Sequence, residues 1–190
     1  MQMPALPPRG APVLTTERLV LRAHRAEDID ACASMWADPL VTRYIGGKPS
    51  TLQQTWLRML RYPGLWALLG FGYWAAEEKA TGGFVGDVGF ADFKRDFVPS
   101  IAGIPELGWV LAGHAHGKGF ATEAVRAALL WGDEHLEPPR TVCIIAADNA
   151  ASIRVAGKCG YREMQRTTYL DEPTILYSRL RPERLIASRG

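Results

Sequence analysis

The feature that most constrains the fold is an apolar strand pattern that runs through a glycine-rich loop directly into a helix. Residues 105–112 (PELGWVLA) predict the strand, residues 113–119 (GHAHGKG) the loop and residues 120–136 the helix. Glycine has no Cβ, so backbone N–H groups in such a loop can approach a ligand closely. The helix start adds unpaired N–H donors and a positive dipole end. Together these features predict a site for a phosphate or a pyrophosphate.

Two common phosphate-binding patterns do not match this loop. A P-loop needs Lys followed by Ser or Thr after its last glycine, whereas Lys118 is followed by Gly119. A dinucleotide fingerprint needs a third glycine where Thr122 stands. A glycine turn that only caps an ordinary helix remains the alternative interpretation.

The remaining periodicities predict one mixed α/β domain. Residues 141–147 form a continuous apolar run, which is typical of a strand buried on both faces. Further strands are predicted over residues 16–23, 71–78, 84–93, 160–168 and 174–180, and further helices over residues 27–36, 50–60 and 149–158. No repeat or linker interrupts residues 14–182, which we expect to form a single domain. A flexible Pro-rich arm (1–13) precedes it and a C-terminal tail (183–190) follows.

The same patterns assign places to individual side chains. Trp56, Leu57 and Leu60 form the apolar stripe of the second helix. Asp87 and Asp92 alternate with apolar residues along a strand, which predicts that both point away from the core; the alternative for either is that it holds a cationic acceptor. Core positions are predicted for Trp36, Trp56 and Trp131, whereas a place in the core or in a substrate pocket is open to Trp66, Trp74, Trp109, Tyr44 and Phe90.

Composition argues against several classes of function. With 47% hydrophobic and 22% charged residues, the 190-residue chain resembles a globular protein rather than a disordered or fibrous one. A formal net charge of +2 without a basic cluster argues against a nucleic-acid partner. The longest uncharged stretch, residues 62–76, is too short and too interrupted by Pro and Gly to span a bilayer, and no signal peptide is visible. We therefore expect neither a nucleic-acid nor a membrane partner.

The cysteines and histidines suggest neither disulfides nor a metal site. Cys32, Cys143 and Cys159 are an odd number without a CxxC pair, so we expect buried thiols in a reducing, cytoplasmic compartment. His114 and His116 stand close together, but the sequence suggests no third or fourth ligand near them.

Two segments carry a resemblance to a known family. Residues 116–124 (HGKGFATEA) are similar to the pyrophosphate loop Q/R-x-x-G-x-G/A of the GNAT N-acetyltransferases. Gly119 and Ala121 take the glycine positions of that loop, and His116 stands where Gln or Arg is usual. Residues 149–161 resemble the family's N-x-x-[AS]-x-x-[VLY]-x-x-K-x-G-[FY] run.

Three further patterns resemble the RimJ/RimL-type branch of that family. They are RLVLR (18–22), TGGFVGDVGF (81–90) and ELGWVL (106–111). All the motifs follow one another in the family's order, and the resemblance covers about residues 14–180.

The resemblance implies the GNAT α/β fold: a mixed, mostly antiparallel sheet with one splayed parallel strand pair and helices on both faces. It implies acetyl-CoA as cosubstrate, lying between the strands at 106–112 and 141–147. Backbone amides of Val110 and Leu111 would hold the pantetheine, and the Asn149 side chain would bond it too, unless Asn149 is only a helix N-cap. The pyrophosphate would contact His116, Gly117, Lys118, Gly119, Phe120, Ala121 and Thr122.

The resemblance also implies catalytic roles. Glu106 would act as general base on the attacking amine, often through water; alternatively it only orients substrate or pairs with an arginine. Ser152 would donate a hydrogen bond to the leaving thiolate, unless its hydroxyl bonds back to its own helix. Many members carry a tyrosine where this chain has Ala156, so the usual phenolic acid is missing. Tyr161 is expected to pack in the core.

The implied function is N-acetylation of a primary amine, either a protein N-terminus or a small molecule. A non-catalytic acyl-CoA-binding or sensing domain is the alternative, and a nucleotide-binding protein that uses the same loop is a third. A homodimer is possible. The fold does not choose the acceptor.

Overall fold

A computed structural model describes residues 10–182 of the chain. Residues 1–9 of the predicted arm and the predicted tail at 183–190 lie outside the described residues. At the described end of the arm, Trp74 Nε1 donates a hydrogen bond to the carbonyl of Pro12 at 2.7 Å. This bond ties the segment before the first strand to the core.

These residues form eight strands and five α-helices. The strands are β1 (Leu14–Thr15), β2 (Leu19–Arg22), β3 (Tyr73–Glu78), β4 (Phe84–Ala91), β5 (Glu106–Leu111), β6 (Arg140–Ala146), β7 (Arg162–Tyr169) and β8 (Glu172–Leu180). The helices are α1 (Ile29–Ala37), α2 (Pro39–Thr42), α3 (Leu52–Leu69), α4 (Phe120–His135) and α5 (Ala150–Lys158). The strand predicted over 16–23 is shorter because Thr16 N–H closes a turn onto the Leu19 carbonyl at 2.9 Å.

All eight strands form one sheet in the order β1-β2-β3-β4-β5-β6-β8-β7. Every neighbouring pair is antiparallel except β5 and β6. Those two strands are in register at one position only, where Glu106 lies opposite Val142 and Val142 N–H donates to the Pro105 carbonyl at 3.1 Å. Beyond that point β5 stays paired with β4 and β6 stays paired with β8, so the two parallel strands splay apart as predicted.

Helices cover both faces of the sheet. Adjacent residues of a strand point to opposite faces. Tyr73 stacks on Tyr62 of α3 with ring centroids 5.1 Å apart, whereas its neighbour Trp74 packs edge-on against Trp131 of α4 at 5.3 Å. The sheet therefore has an α3 face and an α4 face. The main core lies on the α4 face and includes Leu19, Trp74, Phe90, Leu107, Val125 and Trp131.

Helix α3 is longer than the sequence predicts. The prediction ended it near residue 60, but it continues through Pro63 to Leu69 and ends at Gly70, whose φ of +73° is left-handed. A proline inside a helix removes one backbone hydrogen bond. Burial of Tyr62 and Trp66 on either side of Pro63 offsets that loss and keeps the chain helical.

The buried face of α3 is also not the predicted one. Trp56, Leu57 and Leu60 are 39%, 55% and 53% exposed, so the prediction of these residues as the packed stripe was wrong, as was a core place for Trp56. The buried face instead carries Thr55, Met59, Tyr62 and Trp66. Both stripes carry apolar residues. Contacts with β3, including Trp74, determine which stripe is buried, and the sequence does not reveal those contacts.

Several other predicted core positions are confirmed. Trp36 and Trp131 are buried. Cys32, Cys143 and Cys159 are buried free thiols. Burial raises the pKa of all three above the ordinary thiol value, so they stay protonated. No helix of the described chain is long and apolar enough to cross a membrane.

Candidate active site

A cavity of about 600 Å³ opens where β5 and β6 diverge. Residues 106–110 of β5 and 144–146 of β6 form its walls, and Asn149 and Ser152 lie at its α5 end. Its other end reaches α3 through Arg58. The splayed strands thus open one cleft. Asn149 and Ser152, which the sequence predicts as site residues, line one end, and Arg58, which is distant from them in the sequence, lines the other.

The β5 edge offers backbone amides to this cleft. Ala112 N–H donates to the Val85 carbonyl of β4 at 2.9 Å, and antiparallel ladder bonds recur at every second residue. Val110 N–H, in register with Asp87, therefore faces β4 and is not free for a ligand. The amides that face β6 are those of Trp109 and Leu111, so the predicted amide contact fits Leu111 but moves from Val110 to Trp109. Val110 lines the cavity through other atoms.

The glycine loop prepares the start of α4 for an anion. Gly117 and Gly119 have φ of +75° and +82°, in the left-handed region that favours glycine. Gly119 is the N-cap of α4 and has no side chain to cap the first N–H groups. A Cβ on Gly117 would meet no atom within 4 Å, so space is open beside the loop. These donors fit a pyrophosphate.

Side chains fix the loop from both sides without filling it. His116 Nε2 lies 2.9 Å from the Leu111 carbonyl, which binds the loop to the end of β5. Arg18 donates to the Lys118 carbonyl at 2.9 Å and pairs with Glu123 in the first turn of α4 at 2.6 Å. His116 thus has a positioning contact, which explains how it can replace the usual Gln or Arg.

Asn149 and Ser152 lie together at the start of α5. Asn149 is the N-cap, and its Oδ1 accepts a hydrogen bond from Ser152 N–H at 3.1 Å. The Nδ2 group of Asn149 is not needed for this cap and stays available to a ligand. Ser152 Oγ makes no hydrogen bond within residues 10–182, so the alternative of a hydroxyl bonded back to its helix is not observed there.

Glu106 forms a buried ion pair that the sequence left as one of its alternatives. Both carboxylate oxygens accept from Arg95, at 2.7 and 2.9 Å, and Glu106 is 5% exposed. Arg95 also donates to the Tyr169 hydroxyl at 3.1 Å. Burial alone would lower the pKa of Arg95, but the bonds and charge of Glu106 raise it above its ordinary value. Arg95 therefore stays charged, and it is a site residue that the sequence reasoning missed.

Tyr73 is a second missed residue, and two glycines make room for it. Tyr73, Gly89 and Gly108 are in register across β3, β4 and β5. A Cβ on Gly108 would lie 2.0 Å from the Tyr73 hydroxyl, so the phenol reaches the cleft wall only because position 108 has no side chain. Burial and then the charge of Glu106 raise the pKa of Tyr73, which keeps the phenol protonated.

Asp87 does not point away from the core, contrary to the prediction. It is 1% exposed and accepts from His24 Nε2 at 2.8 Å, Tyr62 OH at 2.9 Å and Trp36 Nε1 at 3.3 Å. The prediction assumed one solvated face of the sheet, whereas α1 and α3 cover it. Asp87 is a structural anchor beneath the cavity rather than a contact for a cationic ligand.

The aromatic candidates divide between pocket and core. Trp109 and Tyr44 line the cavity, whereas Trp66, Trp74 and Phe90 are buried in the core. Position 156 holds a fully buried alanine, which supplies no phenol to the cleft. Tyr161 packs in the core as predicted, with its hydroxyl 2.8 Å from Thr141 Oγ1.

The chain is similar to a known family and to individual bacterial proteins. Residues 18–162 match the model of the acetyltransferase (GNAT) domain. The uncharacterised protein YkkB of Bacillus subtilis (strain 168) is 30% identical over 172 residues, which are 87% of this chain and 94% of that protein. The uncharacterised N-acetyltransferase p20 of Bacillus licheniformis is 29% identical over 151 residues, 79% of this chain and 82% of that protein.

Solved structures share the fold. A protein from Bordetella pertussis described as a GnaT-family acetyltransferase superimposes with a TM-score of 0.78 at 29% identity, covering 89% of this chain and 99% of that one. Two more distant structures show the fold alone. They are the ribosomal-protein-S5-alanine acetyltransferase of Vibrio fischeri (TM-score 0.71, 19% identity, 91% and 98% covered) and the spermidine N-acetyltransferase of Vibrio cholerae with CoA and spermine (0.68, 16%, 87% and 97%).

Proposed function

The chain belongs to the acetyltransferase (GNAT) family, and we propose that it transfers the acetyl group of acetyl-CoA to a primary amine. One observation carries the proposal: the splayed β5–β6 pair opens a single cleft in which free β5 amides, Asn149, Ser152 and Glu106 all face the same space. Acetyl-CoA as cosubstrate fits the family, and the residues that would hold it are present.

The cofactor-binding residues divide by the group they would contact. The loop amides of Gly117, Gly119 and the first turn of α4, including Phe120, Ala121 and Thr122, would hold the pyrophosphate. The amides of Trp109 and Leu111 and the Asn149 side-chain amide would hold the pantetheine. His116 would act by fixing the loop, and Lys118 would add positive charge from its exposed position.

The reaction we propose is direct attack of the neutral amine on the thioester carbonyl. A C–N bond forms, the C–S bond breaks, and the proton lost by nitrogen balances the proton gained by sulfur. Glu106 accepts the amine proton through a water molecule. Arg95 occupies only part of the acceptor capacity of its carboxylate, which has about four lone-pair positions. Ser152 Oγ donates a hydrogen bond to the leaving thiolate.

Two finer assignments belong to the same proposal. We assign the chain to the RimJ/RimL-type branch; the resemblance of the motifs at 18–22, 81–90 and 106–111 supports this assignment, and a ribosomal-protein acetyltransferase has the same fold. The acceptor is then a protein N-terminus or a small amine, and the cell compartment is the cytoplasm. A homodimer is the oligomeric state we would test first, by light scattering with and without acetyl-CoA.

The test is an assay of acetyl transfer to a panel of amines, in which the release of the CoA thiol measures the rate. Glu106→Gln should lower kcat/KM about 10²–10⁴-fold, the usual contribution of a general base. Its affinity for acetyl-CoA should stay close to that of the wild type, because Glu106 is not among the proposed cofactor contacts. Glu163→Gln is the matched control, since it removes an exposed carboxylate that pairs with Arg166 on β7, and it should leave the rate unchanged.

Two results would count against this proposal. Transfer at the wild-type rate by Glu106→Gln would remove Glu106 from the chemistry. Tight acetyl-CoA binding by the wild type with no transfer to any amine would instead favour a non-catalytic acyl-CoA-binding domain.

A further inference from the structure

A basic groove adjoins the proposed active site. It is a second cavity, of about 330 Å³, and its charged lining residues are Lys48, Arg58 and Arg61. Arg58 and Arg61 also line the cleft that contains Glu106, so the two cavities are neighbours that share these side chains. The described residues that line the groove include no carboxylate.

Arg58 is a half-buried cation without an acidic partner. Its Nε is buried and has no hydrogen-bond partner in the described chain, and its guanidinium lies 3.7 Å from the centroid of the Trp36 ring. Burial, as the largest effect, lowers the pKa of Arg58 below the ordinary arginine value. A buried unpaired charge is costly unless something of opposite charge compensates it. The groove therefore holds a cation that a bound anion would stabilise.

Three other arginines with buried or half-buried side chains pair with carboxylates. Arg22 pairs with Asp28 and Glu77, Arg95 with Glu106, and Arg179 with Asp133. Within residues 10–182, no carboxylate lies within 4.0 Å of a charged nitrogen of Lys48, Arg58 or Arg61. Three cations without a carboxylate partner thus line one groove, beside the α3 end of the cleft.

The phosphates of the cofactor do not account for this groove. The glycine loop leads into α4, which packs on the α4 face, whereas Arg58 and Arg61 belong to α3 on the opposite face of the sheet. None of the loop residues 116–122 lines the groove. The carboxylates Asp148 and Glu172 line the far end of the cleft, near Asn149, so the cleft is acidic at one end and basic at the other.

We propose that the acceptor is a small primary amine that also carries an anionic group, a carboxylate or a phosphate, which Arg61, Arg58 and Lys48 bind. This assignment rests on the proposed acetyltransferase function and specifies its substrate class. A polycation such as spermine, which the Vibrio cholerae enzyme of the same fold binds, would meet repulsion at this end of the cleft.

The experiment compares matched amines in the full-length protein. Amino acids are assayed against their carboxamides, with 2-aminoethyl phosphate as the phosphate arm, spermidine as the polycation and an acidic N-terminal peptide as the macromolecular arm. We expect kcat/KM for the better anionic amine to exceed that of its neutral analogue at least about tenfold, as for one charge-assisted hydrogen bond. The carboxylate and phosphate arms identify which anion is preferred.

Arg61→Glu tests whether the groove binds the anionic group of the acceptor. Arg61 is exposed on α3, so its replacement should leave the fold intact. It should erase the preference for the anionic amine and leave the KM for acetyl-CoA unchanged. Arg162→Ala, an exposed arginine on β7, should keep the wild-type preference.

Several outcomes would overturn the inference while leaving the acetyltransferase function standing. They are equal rates for anionic and neutral amines, faster transfer to spermidine or to the peptide, and an Arg61→Glu effect on the KM for acetyl-CoA instead of the acceptor. Absence of transfer to every amine would overturn the proposed function and this inference together.

Discussion

The two ends of the cleft present different chemical groups: mostly backbone groups at one end and side chains at the other. The cofactor end uses backbone groups: left-handed glycines at 117 and 119, the first turn of α4, and β5 amides left free by the splay. The acceptor end uses side chains from distant elements, among them Arg58 and Tyr73, together with the buried Arg95–Glu106 pair. A backbone-built site depends on local conformation, whereas a side-chain-built site depends on tertiary packing. The first therefore needs few specific side chains, and the second is free to set specificity.

Helix α1, which carries Trp36 of the cleft lining, is joined to the sheet by a buried ion pair. Asp28, 8% exposed, accepts two hydrogen bonds from Arg22 at 2.8 Å and joins the start of α1 to β2. Asp28→Asn should lower the free energy of unfolding by about 3 kcal/mol at pH 7, because it breaks a buried pair while Glu77 still contacts Arg22. Urea unfolding measures the change, and the exposed Glu163→Gln should cost less than about 0.5 kcal/mol.

The same variant has a defined pH dependence. Burial raises the pKa of Asp28, but the hydrogen bonds from Arg22 and from Arg25 N–H lower it to below its ordinary value. The stabilisation is therefore fully present above the unfolded-state pKa of about 3.9 and is lost as the pH falls through the folded-state pKa. The difference between wild type and Asp28→Asn should shrink below about pH 4. A difference that stays constant down to pH 2 would contradict the ion pair as its source.

A substitution at Gly108 tests how the acceptor end depends on packing across strands. Gly108→Ala would place a Cβ 2.0 Å from the Tyr73 hydroxyl and should destabilise the fold by about 1–3 kcal/mol. Adding Tyr73→Phe removes the clashing oxygen, so the double variant should recover part of the loss. A double-mutant cycle by chemical unfolding gives the coupling energy. Strictly additive losses would show that the two residues do not meet.

The smallest effect is expected at the cofactor end. Gly119→Ala forces a residue with a Cβ into φ of +82°, which costs roughly 1 kcal/mol. Acetyl-CoA affinity should fall about fivefold, because the loop relaxes away from its binding conformation. Gly157→Ala in α5 is the control: no atom lies within 4 Å of its Cβ position, and alanine favours a helix, so affinity should not change. Unchanged affinity in Gly119→Ala would contradict a backbone-built cofactor end.

The two ends also differ in how far the sequence predicts them. The strand–loop–helix pattern that ends in α4 and the N-cap Asn149 of α5 are both local features, so spacing and residue type located them. The splayed pair followed from the family resemblance. Arg95 and Tyr73 were missed because only the packing of the 91–106 segment and of β3 brings them to Glu106. Asp87 and the stripe of α3 were misplaced for a related reason, since the pattern does not say which face another element covers.

The most direct test of the account is a thermal-shift titration with acetyl-CoA, ATP and NAD. At about a hundred times its Kd, a ligand that binds only the folded protein adds about 2.7 kcal/mol, a shift in Tm of roughly 5–10 °C for a chain of this size. We predict that shift with acetyl-CoA and not with ATP or NAD. No shift at millimolar acetyl-CoA, or an equal shift with either nucleotide, would contradict acetyl-CoA binding at the splayed strands.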